Sequence, residues 1–205
     1  MSKEVFEMLC AMNRRDVELQ IALQCAPTIA GLKPSNLFIV STADEGDAAD
    51  ISRRSGLSVY RLAYDRHRVV FLVFNRISLT NYITRSDVSG VLKEYGYKTI
   101  NLGYVLRIFQ SRYCMHLTGS NDFPHEMGLL LGYPVEDVTG FIENGGRNFL
   151  LSGYWKVYHD AEKKRVLFKQ YDDVKDEAVK LVCTGHSIGE IVDILNHRLP
   201  SIEAV

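Results

Sequence analysis

The stretch LSVYRLAYDRHRVVFLVFN, residues 57–75, constrains the fold more than any other part of the chain. It predicts a β-hairpin that reverses direction around residues 65–67. The second arm, VVFLVF at residues 69–74, is apolar without alternation, as in a strand that is covered on both faces. We therefore expect this strand to lie at the centre of a small, partly antiparallel sheet.

The sequence before this hairpin predicts two helices and a strand. Val17, Ile21 and Cys25 recur at helical spacing, so the thiol of Cys25 continues a buried stripe. Pro27 disfavours helical geometry at the residue before it, which predicts that this helix ends near Cys25. The apolar run NLFIV at residues 36–40 predicts a strand.

The sequence after the hairpin is mostly helical in pattern. Two short helices are expected over residues 79–95, broken near Ser86 and closed by Gly96. Asn101 is a predicted N-cap of the next helix. Two further helices and a strand are predicted in the strings PHEMGLLLG (124–132), VEDVTGFIENGG (135–146) and LLSGYWKVY (150–158).

The expected architecture is α/β or α+β, with three to four strands covered by many helices and a helical C-terminal hairpin. We expect one core domain over residues 1–172 and a helical appendage over residues 173–205 packed on it. Ser187 and Glu190 form a capping-box pattern that opens the last helix. A DNA-reading helix-turn-helix would need another helix to follow, but Pro200 comes almost at once, which disfavours this interpretation.

The charge balance and the cysteines indicate which cellular compartment and which kinds of partner to expect. Lys and Arg number 24 against 25 Asp and Glu, which gives no general attraction to nucleic acid or acidic membranes. No apolar run approaches the length of a membrane span, and no signal peptide is apparent. The four cysteines stand far apart without a CxxC pair, so we expect reduced thiols in the cytoplasm and no metal site.

The candidate catalytic residues are Cys25, His125 and Glu126. A Cys25–His125 pair could act as nucleophile and base, with Glu126 or Asp122 orienting the ring. Against this, the predicted helix C-terminus disfavours a thiolate at Cys25, and a buried reduced cysteine is a common core residue. His125 is expected in the first turn of a helix, where the helix dipole favours a neutral imidazole. The alternative is a histidine that hydrogen-bonds a loop carbonyl, with Glu126 complementing the helix dipole. The zinc motif HExxH is excluded because residue 129 is leucine.

Two basic side chains are candidates for binding an anionic ligand. Lys33 lies in the turn-like segment GLKP, where backbone N–H groups could also face an anion. Arg107 lies on the helix that follows Asn101 and could point toward the sheet, although an exposed arginine is the more common outcome.

Three separated strings in the same order resemble an uncharacterised bacterial family, domain of unknown function 3793: CAPTIAGLKPSNLF, HEMGLLLGYPVEDVTGFIENGG and GYWKVY. The resemblance covers roughly residues 15–172 and leaves the last 30 or so as a variable tail. It implies a cytosolic protein of anaerobic bacteria. It also marks signature positions at Cys25, Lys33, His125, Glu126, Tyr133 and Asp137, so that Tyr133 and Asp137 join the ligand-binding candidates. It implies no activity.

Two functions follow as hypotheses. The first is a binding or accessory protein that holds a small ligand or docks on a redox partner, with a redox- or iron-linked role open and the cofactor unidentified. The second is a thiol-dependent enzyme that uses Cys25 and His125 on a small anionic substrate, held by Lys33 or Arg107. A solvent-reachable thiol beside the imidazole would distinguish the second hypothesis from the first.

Overall fold

The structure is a computed structural model that describes residues 3–13 and 16–198. The chain forms two compact units. The first contains the described residues up to Arg76 together with those from Gln170 onward, and the second contains Ile77–Lys169. The predicted C-terminal helical appendage thus belongs to the same compact unit as the N-terminal segment.

The first unit is built on a three-stranded antiparallel sheet of β1 (Ser35–Ser41), β2 (Ser58–Tyr64) and β3 (Arg68–Phe74), in the order β1-β3-β2. The predicted central position of the VVFLVF strand is confirmed, because β3 pairs with both neighbours. Asp65 fixes the hairpin turn: its carboxylate accepts hydrogen bonds from the backbone N–H groups of His67 at 2.7 Å and Arg68 at 2.9 Å. These two hydrogen bonds lower the pKa of Asp65.

Four helices and part of a fifth complete the first unit: α1 (Lys3–Ala11), α2 (Val17–Ile29), α3 (Glu45–Arg54), α10 (Ile188–Arg198) and the second part of α9 (Ala161–Cys183). A short 3-10 turn at residues 42–44 precedes α3. The buried faces of α2, α9 and α10 form one hydrophobic core with the inward-facing residues of the sheet. The capping box predicted at the start of α10 is confirmed: Glu190 accepts from the backbone N–H of Ser187 at 2.8 Å, and Ser187 Oγ accepts from the N–H of Glu190 at 3.4 Å.

The predicted end of α2 near Cys25 is wrong, because the helix continues through Pro27 to Ile29. Proline removes one donor from the helix, yet its carbonyl accepts two hydrogen bonds from the loop that follows, from Leu32 N and Lys33 N. The burial of Pro27 in the core stabilises this arrangement. The helix stops instead before Gly31, whose φ of 71° is left-handed.

Gln24 on α2 protects the edge of the sheet. Its side-chain amide donates to the backbone oxygen of Ile39 at 3.0 Å and accepts from the backbone N–H of the same residue at 2.9 Å. The amide group thus occupies the hydrogen-bonding position of a neighbouring strand on β1. An edge strand that is capped in this way is a poorer template for pairing with another chain.

The second unit is predominantly helical, with α4 (Arg76–Thr84), α5 (Ser86–Glu94), α6 (Leu102–Leu117), α7 (Met127–Leu130), α8 (Val135–Glu143) and the first part of α9. The predicted break between α4 and α5 is confirmed, as is the left-handed Gly96 that closes α5. Asn101 caps α6 as predicted, since its side-chain oxygen accepts from Gly103 N at 3.1 Å and from Tyr104 N at 3.4 Å.

Two predictions for the second unit are wrong in detail. The expected single strand over residues 150–158 is a small hairpin of β4 (Leu151–Ser152) and β5 (Lys156–Val157). Its turn buries Trp155, and this packing overrides the strand propensity of the aromatic sequence. The helix expected from Pro124 is only four residues long, so His125 and Glu126 lie in the turn that precedes α7.

The predicted fold class is confirmed: a small antiparallel sheet, a two-stranded hairpin, many helices and a C-terminal helical hairpin. Within the described part of the chain, none of the helices combines the length and the apolar character that crossing a bilayer requires.

Candidate functional site

Asp137, one of the candidate ligand-binding residues, is buried on α8 and accepts three hydrogen bonds. Trp155 Nε1 donates to one carboxylate oxygen at 2.7 Å. The backbone N–H groups of Tyr158 and His159 donate to the other at 2.7 and 3.0 Å. This carboxylate therefore joins α8 to the β4–β5 hairpin and to the chain that follows it.

Glu126, a candidate for orienting His125, is also buried and bound by its own neighbours. Arg112 Nη1 on α6 donates to its carboxylate at 2.7 Å, and Tyr97 OH donates to the same oxygen at 3.2 Å. Arg112 also donates to the backbone oxygen of Tyr95 at 2.6 Å, and its guanidinium lies over the Tyr97 ring. Burial, with the negative charge of Glu126 beside it, raises the pKa of the Tyr97 phenol. The group holds the turn before α7 against α6.

Tyr133 forms part of a compact aromatic cluster in the second unit. Its ring stacks on Trp155 at a centroid distance of 4.6 Å, and Trp155 meets Phe168 edge-on at the same distance. Burial raises the pKa of the Tyr133 phenol to about 12, so the hydroxyl stays protonated and donates to the Tyr154 carbonyl at 3.4 Å. Tyr82 OH in turn donates to the Tyr133 carbonyl at 2.6 Å.

His125 lies in different surroundings, because its half-buried ring is part of a row of aromatic rings that reaches the surface. The row runs from His116 through Phe123 and His125 to Phe141, with successive centroids 5.3, 5.5 and 5.6 Å apart. Phe123 is 41% exposed. Because α7 is only four residues long, the helix-dipole argument made for His125 from the sequence, which assumed a longer helix, does not apply.

Lys156 extends this row to a second exposed ring. Its ammonium lies 5.7 Å from the centroid of Phe141 and 5.0 Å from that of Phe149, which is 42% exposed. The ammonium also donates to the Gly146 carbonyl at 2.6 Å. We call the six residues the aromatic strip: His116, Phe123, His125, Phe141, Phe149 and Lys156.

The loop that carries Phe149 has an unusual backbone. Gly145, Gly146 and Asn148 all have left-handed φ angles, of 55°, 70° and 57°. Asn148 is strained there because it carries a Cβ, and its side chain donates to Asn144 Oδ1 at 3.3 Å. The loop turns Phe149 and the neighbouring Leu150, which is 60% exposed, toward solvent.

Cys25, the candidate nucleophile, lies in the hydrophobic core of the first unit and is 0% exposed. Burial raises the pKa of its thiol from 9.0 to about 12, although the charge of Lys33 acts in the opposite direction. The thiol is therefore protonated at neutral pH and closed to solvent in this conformation.

Lys33, the candidate anion-binding residue, is in the same core and is 4% exposed. Burial lowers the pKa of its amine from 10.5 to about 8, and the nearby thiol of Cys25 acts in the opposite direction. The side chain of Lys33 is thus enclosed in the first unit in this conformation.

His125 and Arg107 belong to the second unit, whereas Cys25 and Lys33 belong to the first. The pairing of Cys25 with His125 stays a prediction. Arg107 is exposed, with its guanidinium 5.7 Å from the Tyr104 ring. Among the side chains that the structure describes, no three His, Cys, Asp or Glu residues cluster as ligands for a metal ion.

A sequence model of the family described as "Protein of unknown function (DUF3793)" matches residues 21–192. The chain belongs to this family. The match contains all six signature positions, from Cys25 to Asp137, and runs past the boundary near residue 172 that the resemblance suggested. The family therefore includes the second part of α9 and the beginning of α10, which we had expected to be a variable tail. Comparisons with curated proteins and with solved structures found no match.

The sequence predicted neither the partners of Glu126 and Asp137 nor most of the aromatic strip. Tyr97 and Arg112 lie 29 and 14 positions from Glu126, and no short motif links them. Phe123 and Phe149 did carry a local signal. Each is a large apolar residue beside polar turn residues, in NDFP and GGRNF, where a buried side chain is not expected.

Proposed function

We propose that this protein binds a small aromatic anion through the aromatic strip of its second unit. The observation that carries the proposal is the exposure of two rings of the strip, Phe123 and Phe149, which are connected through His125, Phe141 and the Lys156 ammonium. The function is then that of a ligand-binding or accessory protein, acting in the reducing cytoplasm of the anaerobic bacteria that the family resemblance implies. A redox-linked ligand is compatible with that setting.

The exposed rings support binding because they are costly to leave in water. A soluble protein rarely keeps neighbouring large apolar side chains exposed without a binding role. Here Phe149 and Leu150 project from a loop that contains the strained Asn148. Backbone strain that places apolar side chains in solvent is typical of a segment shaped by a ligand or partner.

The chemistry of the strip favours a flat ligand with negative charge. Phenyl rings offer faces and edges for stacking, and the Lys156 ammonium attracts both π-electrons and anions. The imidazoles of His116 and His125 can donate hydrogen bonds to a carboxylate or phosphate. An aromatic carboxylate is the smallest kind of ligand that offers both a flat ring for stacking and a negative charge.

The alternative function, a thiol-dependent enzyme, has less support from the same observations. A nucleophilic cysteine needs an accessible thiolate, but the Cys25 thiol is enclosed in the core and its pKa is about 12. Glu126 is engaged by Arg112 and Tyr97, and these hydrogen bonds hold its carboxylate in the turn before α7.

The proposal is tested with 2-naphthoate and its neutral analogue 2-naphthamide, titrated into uniformly ¹⁵N-labelled protein and followed by amide chemical shifts. We expect saturable shifts for residues of the aromatic strip, with tighter binding of the anion. Phe149→Ser should weaken binding about tenfold, the effect of losing one well-packed ring. Cys25→Ser should leave binding unchanged.

The matched control is Ile77→Ser, because Ile77 is 73% exposed on the same unit but is not part of the strip. This variant should bind 2-naphthoate like the unaltered protein. Shifts that do not saturate, or that map outside the strip, contradict the proposal. Equal binding by Phe149→Ser and Ile77→Ser also contradicts it.

A further inference from the structure

The loop of residues 30–33 folds back onto the last turn of α2. The backbone N–H groups of Leu32 and Lys33 both donate to the carbonyl of Pro27, at 2.8 and 3.1 Å. This reversal buries the Lys33 side chain in the same unit as Cys25, which lies two positions before Pro27. An amine and a thiol, both reactive groups, are thus enclosed together at the end of one helix.

Two side chains from the C-terminal helices bind this loop. Asn196 Nδ2 on α10 donates to the Ile29 carbonyl at 3.0 Å, and Tyr171 OH on α9 donates to the Leu32 carbonyl at 3.4 Å. The contact with α10 is close, since a Cβ on Gly31 would lie 2.9 Å from Asn196 Oδ1. Residues far away in sequence therefore bind the chain on both sides of Gly31.

The apolar side of α10 completes the enclosure. Ile188, Ile191 and Leu195 lie in the same hydrophobic core as Cys25, and α10 packs against α2 and α3. The helix is connected to α9 through Gly185, whose φ is 90°. A short helix connected through a glycine turn is the kind of segment that opens locally while the central strands stay folded.

We propose that α10 is a latch over the loop of residues 30–33, and that its local opening exposes the Cys25 thiol and the Lys33 amine to soluble electrophiles. Opening removes the burial that suppresses the thiolate, so the pKa of Cys25 falls toward its ordinary value of 9.0. The latch acts in the first unit and does not depend on the proposed ligand of the aromatic strip.

The latch is tested by alkylation with iodoacetamide at pH 8, with the rate at each cysteine followed by peptide mass spectrometry under reducing pre-treatment. Cys114 is exposed and reports the reagent's activity in every sample. We expect Asn196→Ala to raise the rate at Cys25 about tenfold, the size expected for losing a hydrogen bond that holds the closed state. Tyr171→Phe should raise it in the same direction.

The matched control is His197→Ala, because His197 is exposed on the same helix and its ring bonds to the Asp193 carbonyl within α10. Cys25 of this variant should be alkylated at the same rate as in the unaltered protein. Unchanged Cys25 rates in both Asn196→Ala and Tyr171→Phe overturn the latch.

Hydrogen exchange of the unaltered protein gives a test that needs no variant. The amides of α10 should exchange with a smaller opening free energy than those of β3. Equal opening free energies for the two elements would mean that Cys25 becomes accessible only on global unfolding, and the proposed latch would be wrong. Failure of naphthoate binding would leave both measurements unaffected.

Discussion

Trp155 donates its indole N–H to the carboxylate of Asp137 at 2.7 Å, across 18 positions of sequence. The other oxygen of the same carboxylate accepts two backbone N–H groups, from Tyr158 and His159. Three donors converge on one buried anion, which compensates for its removal from water. In the second unit this carboxylate is the point where α8, the β4–β5 hairpin and the start of the following segment are joined.

Asp137→Asn should therefore destabilise the protein by about 2–4 kcal/mol, because the amide accepts fewer hydrogen bonds and presents N–H groups to donors. Urea unfolding followed by circular dichroism measures the change. Asp122→Asn is the matched control: Asp122 is exposed, and this variant should lie within about 0.5 kcal/mol of the unaltered protein. Equal stability of the two variants would contradict the role assigned to Asp137.

Removing the guanidinium that faces Glu126 should be among the most damaging single changes in the second unit. Arg112→Met leaves a buried carboxylate with one donor fewer, at a cost of about 3–5 kcal/mol in the free energy of unfolding. The control is Arg107→Met on the same helix, where the exposed side chain only lies over a tyrosine ring. We expect Arg107→Met to change stability by less than about 1 kcal/mol, and a loss equal to that of Arg112→Met would refute the distinction.

Local sequence patterns predicted the parts of the fold that depend on local physics. The Asn101 cap, the Ser187–Glu190 capping box and the central apolar strand depend on residues a few positions apart or on one strand's own composition. The end of α2 was predicted wrongly for the opposite reason. Pro27 stays helical because the loop and core around it supply contacts that no window of neighbouring residues contains.

The candidate residues show the same limit. The residue types suggested catalytic or ligand-binding roles. The hydrogen-bond partners of each side chain, however, determine which of these roles it can have. Glu126 and Asp137 are carboxylates that could serve a reaction, yet each meets donors supplied by elements predicted separately. The Lys33 amine is buried in the same unit as Cys25 because the chain reverses after Pro27.

The tight packing around Gly140 in α8 leads us to a further prediction, about the replacement of glycine by alanine. A Cβ on Gly140 would lie 2.6 Å from Cβ and Cγ of Tyr158, whereas one on Gly90 in α5 would meet no atom within 4 Å. Gly140→Ala should destabilise the protein by about 1–3 kcal/mol through overpacking. Gly90→Ala should stabilise it by up to about 1 kcal/mol, the difference in helix propensity. Thermal unfolding of both variants checks the contrast, and a shift of the same sign in both would contradict it.

The buried pair in the first unit makes stability depend on pH in two opposite ways. The pKa of Lys33 is lowered from 10.5 to about 8, so between these values the unfolded chain binds more protons, and stability rises with pH. The pKa of Cys25 is raised from 9.0 to about 12, so in that range the folded chain binds more protons, and stability falls. Together they predict that the free energy of unfolding rises from pH 8 to 9, stays level to about pH 10.5 and falls above that pH.

Each contribution is on the order of 3 kcal/mol over its full range. Urea unfolding between pH 7 and 11 in the presence of a phosphine reductant measures the profile. Lys33→Met should lack the gain between pH 8 and 9, and Cys25→Ser should lose less stability above pH 10.5 than the unaltered protein. Comparing each variant with the unaltered chain cancels the contribution to stability of the tyrosines that also titrate in this range. A Lys33→Met profile parallel to that of the unaltered protein from pH 8 to 9 would mean that the amine is not buried in the folded state, because burial is what makes the folded state resist its protonation.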